Sequence, residues 1–547
     1  MQMRLRPATV AGILLPLIIC WSAQAQTFTL QHNFSSTAAG TNLDGANPGS
    51  IVLDQGQVYG VTANGGTNGN GLIYRVATNG TGYTVVYYFL GNTNGAFPSG
   101  IVVRDGMIYG DTYQGGLSGV GMVFSVNTNG ANFTILHHFT NQPDGNYPRS
   151  GLVLSGNTLF GTTYLGGTSG SGTVFKINTD GTGYSRLHTF TNSPDGSAPL
   201  GTLTLSGATL YGTTAFGGAY TNGLVFSITT NGDNYAVLHC FSNYPDAQYP
   251  YGELVSDGQF LYGSTSDGGS NVVGALFSLR TNGTDYVILH NFTAATDGKL
   301  AQGGLLLSGG RLYGTTSYGG AGGSGTVFEL NADGSGFLVL KNFTNSVTDG
   351  ATPRTVLARL GTTLWGTTYF GGSSSNGTLF SLKLSPVLIQ SPQSQTVFEG
   401  CPAVFTAAAV GAGAVNYRWF FRTNTILTTA TNGTYFIACA QTNAVGSYFV
   451  VATNAYGSVA SPSVTLTVLA PPSLFDAALD SVTGNFSFTV TNLPSSTNRL
   501  WTTTSLNPPV IWKVIATNIM APSGYWFFTD TSSVQTNSAR FYRFSTP

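Results

Sequence analysis

One short motif, an aromatic residue followed by glycine and usually by two threonines, recurs along most of the chain. The seven glycines, which number repeats one to seven, are Gly60, Gly110, Gly161, Gly212, Gly263, Gly314 and Gly366. The intervals between them are 50, 51, 51, 51, 51 and 52 residues. Repeats of this length each form one supersecondary unit that buries its core only against its neighbours. This region therefore folds as an array of seven similar units.

Each repeat divides into four short strand-like segments separated by turn residues. In the third repeat these segments are residues 151–155, 158–163, 172–177 and 184–190. Gly-Asn, Gly-Gly and Asn-Thr-Asp-Gly sequences separate them, and such sequences join antiparallel strands. Four antiparallel strands in about 50 residues is the size of one blade of a β-propeller.

The two ends of the repeat region complement each other. The seventh repeat lacks a fourth strand, because Ser-Pro at residues 385–386 follows its third strand closely. Residues 28–34 precede the first repeat and align without gaps with the fourth strand at 286–292. A closed ring would pair this N-terminal strand with the seventh repeat and leave no open edge. We therefore predict a seven-bladed β-propeller over residues 26–384, with four strands per blade, closed by the N-terminal strand.

The composition points to an all-β protein. Only 7% of the 547 residues are charged, against about 25% in an average soluble domain, and 74 are glycine. Long helices need more charged residues than this chain has. The formal net charge of −1 gives no electrostatic basis for binding nucleic acid or an anionic membrane.

The first 25 residues have the pattern of a secretory signal peptide. Arg4 and Arg6 precede an apolar run at residues 11–21, and an Ala-Gln-Ala cleavage site stands at 23–25. The alternative is a transmembrane anchor, for which the apolar run is short. No later segment is apolar enough to span a bilayer, so we expect an exported protein, secreted or cell-surface associated, that begins near Gln26.

The repeat resembles a known family. The resemblance rests on Leu-Phe-Gly-Thr-Thr at residues 159–163, Gly-Gly at 166–167 and Val-Phe at 174–175, with their equivalents in the other repeats. This pattern is similar to the GloVer repeat of the choice-of-anchor secreted bacterial proteins, over about residues 27–384. The resemblance implies export and a surface or secreted location, and it implies no known activity. The hydrophobic C-terminal anchor of that family has no counterpart in this sequence.

The remaining residues form two further predicted domains. Residues 385–470 resemble a cysteine-poor bacterial immunoglobulin-like domain, through Ala-Val-Phe-Thr-Ala at 403–407, Trp419 and a tyrosine-corner strand around Tyr448. The usual inter-sheet cysteine positions hold Ala407 and Val450, so we expect an aliphatic core around Trp419. Residues 471–547 alternate apolar and polar residues, which predicts a small C-terminal β-sandwich module that serves for sorting or as a cap.

The immunoglobulin resemblance also suggests a disulfide. Cys401 precedes the second strand of that domain and Cys439 follows the fifth, and these two strands are antiparallel neighbours in the fold. We predict a bond between Cys401 and Cys439, and the alternative is two free thiols. Cys240 stands in an apolar strand pattern and is best explained as a buried small hydrophobe.

Histidines and aspartates recur at fixed repeat positions. His32, His137, His188, His239 and His290 occupy fourth strands, which a ring of blades holds apart, so we expect a structural role and no metal. The Asp-Gly element between repeats, as at Asp144-Gly145, predicts a turn stabilised by the aspartate. No cofactor is predicted.

The loops that vary between repeats are the better functional candidates. The Gly-Gly loop and the segment between repeats lie on one face of a four-stranded meander. Aromatic rings with polar partners on such a face suit sugars or polymers, and the alternative is that these rings pack between blades. The ligand-binding candidates are Tyr113, Arg149, Tyr164, Phe216, Tyr251, Tyr318, Arg354 and Tyr369.

Catalysis has little support in the sequence. No nucleophile motif or phosphate loop is present, and Asp105, Asp111, Glu253 and Asp257 are scattered over separate segments, whereas a glycosidase needs two facing carboxylates. We therefore expect a monomeric, non-enzymatic binding or adhesion protein with a glycan or protein ligand at the propeller face. The alternatives are a polysaccharide-active enzyme on a propeller scaffold and a structural cell-surface component.

Overall fold

The structure of the chain is a computed structural model that describes most residues from Thr27 onward. The described ranges are 27–35, 42–242, 244–422, 425–427, 432–470, 474–480, 482–483, 485–491, 497–503, 510–519, 525–530 and 541–545. The predicted signal peptide, residues 1–25, lies outside them. Within these ranges the regular structure is strands and two single-turn 3₁₀ helices, η1 (Asn92–Asn94) and η2 (Thr442–Ala444), which confirms the all-β prediction. In the same ranges no helix has the length and apolarity to cross a membrane.

The chain forms two compact units. The first runs to Leu384 and includes residues 411–413, and the second comprises the remaining residues from 385 onward. Strands of the first unit, up to the end of the third repeat, are β1 (Thr27–Asn33), β2 (Ala46–Asp54), β3 (Gln57–Asn64), β4 (Leu72–Ala77), β5 (Thr84–Tyr88), β6 (Ala96–Arg104), β7 (Met107–Gln114), β8 (Met122–Asn127), β9 (Thr134–His138), β10 (Asn146–Pro148), β11 (Val153–Ser155), β12 (Thr158–Leu165), β13 (Thr173–Asn178) and β14 (Ser185–Thr189).

The later repeats have the same pattern. Their strands are β15 (Thr204–Ser206), β16 (Thr209–Thr214), β17 (Leu224–Thr229), β18 (Ala236–Cys240), β19 (Ala247–Gln248), β20 (Val255–Ser256), β21 (Phe260–Thr265), β22 (Asp267–Gly268), β23 (Ala275–Arg280), β24 (Val287–Asn291), β25 (Leu306–Ser308), β26 (Arg311–Thr316), β27 (Thr326–Asn331), β28 (Leu338–Asn342), β29 (Ala358–Leu360), β30 (Thr363–Thr368) and β31 (Thr378–Lys383). Each of the first six repeats contributes one antiparallel four-stranded sheet in chain order, and the third repeat's first strand is split into β10 and β11. In the fifth repeat, β19 and β22 form a separate two-stranded sheet.

The seventh sheet takes its fourth strand from the start of the chain. Its strand order is β1-β31-β30-β29, and β1 runs antiparallel to β31 with Thr27 opposite Lys383 and Asn33 opposite Thr378. The predicted pairing of the N-terminal strand with the seventh repeat is therefore confirmed. Phe34, which follows β1, is fully buried.

Successive sheets share their apolar cores. One cluster combines Tyr59 of the first repeat with Phe124 of the second, and another combines Tyr74 of the first with Trp365 of the seventh. The first and seventh sheets therefore contact each other directly. Because each sheet is only four short strands, this shared burial supplies the core that a single repeat lacks.

Hydroxyl groups also link one repeat to the next. The residue after the motif glycine donates a hydrogen bond to a main-chain carbonyl of the following repeat. The pairs are Thr213 Oγ1 to Gly252 O (3.3 Å), Ser264 Oγ to Gly303 O (2.9 Å), Thr315 Oγ1 to Thr355 O (3.4 Å) and Thr367 Oγ1 to Gly49 O (2.9 Å). The last of these joins the seventh repeat to the first. In the second repeat this position holds Asp111.

The motif glycine is required by a close cross-strand contact. Gly161 lies opposite Phe175 on the neighbouring strand, and a Cβ atom on it would come within 2.6 Å of the phenyl Cζ. Real Cβ contacts are not that short, so only glycine lets the aromatic ring of the third strand lie across the second. This explains why the aromatic-Gly motif recurs in all seven repeats.

The second unit contains two groups of sheets. Its strands are β32 (Val387–Gln390), β33 (Gln395–Phe398), β34 (Ala403–Thr406), β35 (Ala408–Val410), β36 (Asn416–Phe421), β37 (Thr425–Leu427), β38 (Thr434–Ile437), β39 (Gly446–Asn454), β40 (Gly457–Ala460), β41 (Val464–Leu469), β42 (Leu474–Leu479), β43 (Phe486–Thr491), β44 (Thr497–Thr503), β45 (Lys513–Ile519), β46 (Tyr525–Asp530) and β47 (Phe541–Ser545). The main sheet has the order β33-β41-β39-β36-β37, and β34 pairs with β38.

The core around Trp419 differs from the sequence prediction. Trp419 is fully buried as expected, but its cluster includes Phe405 and Tyr448 besides aliphatic residues. The expectation of an aliphatic core was therefore wrong, because alternate inward positions of β34 and β39 carry these rings. The Tyr448 hydroxyl donates to Ala444 O at 2.7 Å, which is the hydrogen bond expected of a tyrosine corner.

The last six strands form two three-stranded sheets. Their orders are β42-β43-β46 and β45-β44-β47. Phe488 and Val490 from the first sheet and Leu500 from the second are buried in one cluster. The two sheets therefore share an apolar core.

Candidate functional site

The two variable loops of each repeat are held together by main-chain pairing. In the third repeat Asn146, in the segment between repeats, pairs with Leu165, next to the Gly-Gly loop. In the fourth repeat Ser197 pairs in the same way with Phe216. The two loops therefore lie at the same end of each sheet, as the sequence predicts, and their side chains are brought to one surface.

These loops surround a cavity in the first unit. Its volume is about 750 Å³, and residues from all seven repeats line it, so we call it the seven-repeat cavity. Of the predicted ligand-binding residues, seven line this cavity: Tyr113, Arg149, Tyr164, Phe216, Tyr251, Arg354 and Tyr369. Their sequence positions span more than half of the repeat region, and the repeated fold brings them together.

Tyr318 is the exception among the predicted residues. It does not line the cavity, and 42% of its surface is exposed. It lies close enough to the cavity residue Arg354 to act on the pKa of that guanidinium group. Its role in ligand binding therefore stays a prediction. Gln302, which the sequence places level with the arginines, does line the cavity.

Each cavity arginine lies near a tyrosine ring of a neighbouring loop. The guanidinium carbon of Arg354 is 3.3 Å from the ring centroid of Tyr369, and that of Arg149 is 5.6 Å from the ring centroid of Tyr113. Arg354 is half-buried and Arg149 is exposed. Burial lowers the pKa of Arg354, and the neighbouring Tyr369 opposes that effect. The rings hold these guanidinium groups in place without neutralising them.

The rings of the other aromatic residues in the cavity wall are oriented in different directions. Phe216 and Tyr251 are nearly perpendicular, with centroids 6.4 Å apart, and Tyr113 packs against Tyr147 at 4.9 Å. Phe216 is 36% exposed. Both contacts join neighbouring repeats, as the alternative of packing between repeats predicts. The rings of Tyr113, Tyr164, Phe216, Tyr251 and Tyr369 also line the cavity, so packing between repeats leaves ring surface for a ligand.

The four scattered carboxylates are not brought together. Glu253 lines the cavity, whereas Asp111 is fully buried. Asp105 is exposed in a turn beside Arg104, and Asp257 accepts the main-chain N–H groups of its own turn. One cavity carboxylate does not form the facing pair that glycoside hydrolysis uses.

Burial changes the acidity of the two inner carboxyls. Burial raises the pKa of Glu253 to about 7, against the smaller opposing effect of a hydrogen bond from Thr202. Glu253 is closely surrounded by protein atoms, yet part of its surface faces the cavity. Burial also raises the pKa of Asp111 to about 7, and neither of its carboxyl oxygens has a hydrogen-bond partner of good geometry.

The repeated histidines form hydrogen-bonded pairs with aspartates that link neighbouring repeats. In each case the histidine Nε2 lies 2.9–3.3 Å from the carboxylate of the aspartate in the turn that follows, which glycine follows in four cases and Ala247 in the fifth. The imidazole also stacks on an aromatic ring of the next repeat, as His137 does on Tyr184 with centroids 3.8 Å apart. Asp144 accepts the Thr140 N–H at 3.1 Å, which confirms the predicted turn. Within the described part of the chain, no three His, Cys, Asp or Glu residues are placed to hold a metal.

The sequence analysis predicts that these aspartates stabilise turns, but it does not predict that they pair with the histidines. The signal was present, because His137, His188, His239 and His290 each precede their aspartate by seven residues. Where Lys341 replaces histidine it pairs with Asp349 at 3.2 Å, and where Tyr87 replaces it the partner is Asn94 at 2.6 Å. Lys341 keeps the aspartate as its partner, whereas Tyr87 is accompanied by a change of the partner to Asn94.

Cys401 and Cys439 lie at one end of the β34–β38 pair. Ala440 N–H donates to Cys401 O at 2.9 Å, and Gly400 N–H donates to Ala440 O at 2.8 Å. Both thiols are exposed and free in the structure, so the predicted bond is not formed in it. Gly400 and Cys401 both form hydrogen bonds with Ala440, so two residues of one strand end lie opposite one residue of the other. The strand end is therefore irregular at the place where the disulfide would form. Cys240 is half-buried and free.

Comparison with known proteins gives one family and distant structural likenesses. The sequence model of the Gloeobacter/Verrucomicrobia repeat matches residues 19–216 and 206–390, which confirms the resemblance drawn from the repeat motif. No curated protein matches the chain. A chimeric titin Z1Z2 is 27% identical over 16% of this chain and 95% of its own, with a TM-score of 0.15. The N-terminal Ig1-2 module of the Drosophila receptor protein tyrosine phosphatase DLAR is 14% identical over 19% of this chain and 74% of its own, also with a TM-score of 0.15. TM-scores this low carry no structural argument.

Proposed function

This chain belongs to the Gloeobacter/Verrucomicrobia repeat family, and on that premise we propose that it is an exported, non-enzymatic binding protein whose ligand occupies the seven-repeat cavity. The observation that carries the proposal is the composition of the cavity wall. Six aromatic residues, Phe97 among them, and two arginines from five repeats line one space of about 750 Å³. A space of this size and lining suits a ligand with apolar faces and polar groups, and a glycan has both.

We propose further that the first unit is a closed seven-bladed β-propeller. The pairing of β1 with β31 and the hydrogen bond from Thr367 to Gly49 O support closure, because both join the seventh repeat to the start of the chain. A ring gives every repeat the same relation to one central axis. The loops of all blades then converge on one face, where a ligand contacts several repeats at once.

The other modules have supporting roles in this proposal. Residues 385–470 act as an immunoglobulin-like spacer, an interpretation that the buried Trp419 and the Tyr448 corner support. Residues 471–547 act as a small β-sandwich that caps or attaches the protein. The protein works as a secreted or cell-surface monomer, with a glycan or a surface protein as its partner.

The enzyme alternative predicts a different cavity. A polysaccharide-cleaving site would place two carboxyls on opposite sides of the bound sugar. Only Glu253 among the described acidic residues lines the cavity, so the wall favours recognition over hydrolysis. Nothing observed favours a purely structural surface component, which would be expected to self-assemble.

An array of neutral and acidic glycans, probed with the purified full chain, tests the proposal. We expect binding to at least one glycan class, and loss of that binding in the variants Y164A and Y251A, which remove cavity rings. The matched control is Y220A, because Tyr220 is 56% exposed and does not line the cavity. Binding that survives both cavity substitutions, or an array without any bound glycan, would overturn glycan recognition at this site. Release of shortened sugars would support the enzyme alternative.

A further inference from the structure

The two cavity arginines have no acidic partner among the described residues. Arg75 and Arg186 of the first unit form no ion pair either, but each donates to a main-chain carbonyl oxygen of its own surroundings. Arg104, Arg280 and Arg311 each pair with a carboxylate within 3.3 Å. Neither Arg149 nor Arg354 forms an ion pair in the part of the chain that the structure describes. A guanidinium group without a counter-ion, held against a ring and facing a cavity, is positioned to receive an anionic group from a ligand.

The fold brings these two charges to one cavity from distant repeats. Arg149 follows Pro148 between β10 and β11 of the third sheet, and Arg354 follows Pro353 before β29 of the seventh. They are close enough for the charge of Arg149 to lower the pKa of Arg354. Two like charges that repel each other across an open space are stabilised when an anion lies between or beside them.

The acidic groups near the arginines are few. Among the described residues that line the cavity, Glu253 is the one with a carboxyl group. Burial raises its pKa to about 7, which reduces its negative charge near neutral pH. Asp267 lies near Tyr251 outside the lining, where the Ser266 hydroxyl donates to it at 2.7 Å. The cavity is therefore more positive than the chain as a whole, whose formal net charge is −1.

From these observations we infer that the seven-repeat cavity binds acidic saccharides that carry carboxylate groups, with Arg149 and Arg354 as the carboxylate receptors. This inference rests on the proposed function and specifies its ligand class. A planar guanidinium group matches a carboxylate through two parallel N–H···O bonds. Stacking of Arg354 on Tyr369 fixes the plane of that group in advance, and Tyr164 and Tyr251 offer ring surface to the C–H faces of the sugar.

Binding of a galacturonate tetrasaccharide to the full chain, measured by calorimetry, tests this inference. We expect the acid to bind at least about tenfold more tightly than its methyl ester, which keeps the sugar and removes the charge. We expect R149Q and R354Q each to weaken binding of the acid by about tenfold or more, with little effect on the ester. R354K keeps the charge and loses the planar pair of donors, so it should also weaken binding of the acid. The control R104Q changes an arginine outside the cavity and should bind normally.

The possible results distinguish failure of this inference from failure of the proposed glycan-binding function. Equal affinity for the acid and the ester would overturn the acidic ligand class and leave glycan binding intact. The same conclusion would follow if R354Q had the melting temperature of the wild type and bound the acid with unchanged affinity. Equally tight binding of a sulfated tetrasaccharide would overturn the carboxylate assignment. If neither the acid, the ester nor any array glycan binds, the proposed glycan function fails together with it.

Discussion

Replacing Asp111 by threonine should stabilise the protein, and the effect should depend on pH. Asp111 is fully buried in the second strand of its repeat, at a position where five other repeats carry threonine or serine. Its carboxyl oxygens have no hydrogen-bond partner of good geometry, whereas Thr213 and Thr367 at the same repeat position donate to the next repeat. The substitution D111T therefore removes a buried acid and supplies a hydroxyl that fits its surroundings.

The magnitude follows from the shift in acidity. Burial raises the pKa of Asp111 from 3.8 to about 7, so the folded protein holds this proton more tightly than the unfolded chain does. The free energy of unfolding therefore falls as pH rises from about 4 to about 7, by roughly 1.4 kcal/mol per pH unit, and is constant above that range. The total penalty at pH 8 is about 4 kcal/mol, and the new hydroxyl bond adds about 1 kcal/mol to the gain.

Urea unfolding of the wild type and D111T, followed between pH 5 and pH 8.5, measures this difference. We expect the advantage of D111T to grow by roughly 3 kcal/mol between pH 5 and pH 7 and then level off. D111N, which keeps the shape and loses the charge, should show the same pH dependence. The reverse substitution T213D in the fourth repeat should show the opposite sign. A difference between wild type and D111T that does not change with pH would refute the account of a buried, protonated carboxyl.

Three further outcomes are expected. F34A should lower the free energy of unfolding by about 3–5 kcal/mol, as much as F241A at the equivalent fully buried position, and a much smaller effect would contradict closure by the N-terminal strand. Burial acts to raise the pKa of Asp246, but hydrogen bonds from His239, Tyr286 and main-chain N–H groups lower it to about 2. The stabilisation by Asp246 is therefore present above about pH 4 and is lost as pH falls through about 2, so D246N should cost about 2 kcal/mol at pH 7 and almost nothing at pH 2 in thermal unfolding. Because Cys401 and Cys439 are exposed and free in the structure, alkylation should label both without reduction, and labelling that needs a reductant would show a disulfide bond.

Local structure of the repeats was predictable because turn residues mark every boundary. The predicted segments 158–163 and 172–177 correspond to β12 (Thr158–Leu165) and β13 (Thr173–Asn178). The fourth strand of the seventh sheet was also predictable, since residues 28–34 repeat a pattern whose partner was missing. These inferences needed only periodicity and an unpaired edge.

The cavity was predictable only in outline. Repeat position indicated which loops share a face, but not which side chains reach the cavity: Phe216 lines it, whereas Tyr318 at the same repeat position does not. Whether Arg149 and Arg354 have an acidic partner depends on the distances between loops of different repeats. Those distances follow from the tertiary structure and cannot be inferred from a local sequence pattern. The Trp419 core likewise depends on which positions of different strands face each other, and there Phe405 and Tyr448 meet.

The pairing of β1 with β31 also determines when this protein is able to fold. During synthesis the first strand leaves the ribosome early, and its partner follows only after the whole repeat region, as the contact between Gln31 and Ser381 illustrates with a separation of 350 residues. Any nascent chain or truncated fragment that ends before Thr378 leaves the first strand without its partner. Open solenoids gain stability with each added repeat. In this protein the core of the first repeat is completed only by residues at the end of the seventh repeat, such as Leu379. The repeat region should therefore tolerate loss of a repeat at its end poorly.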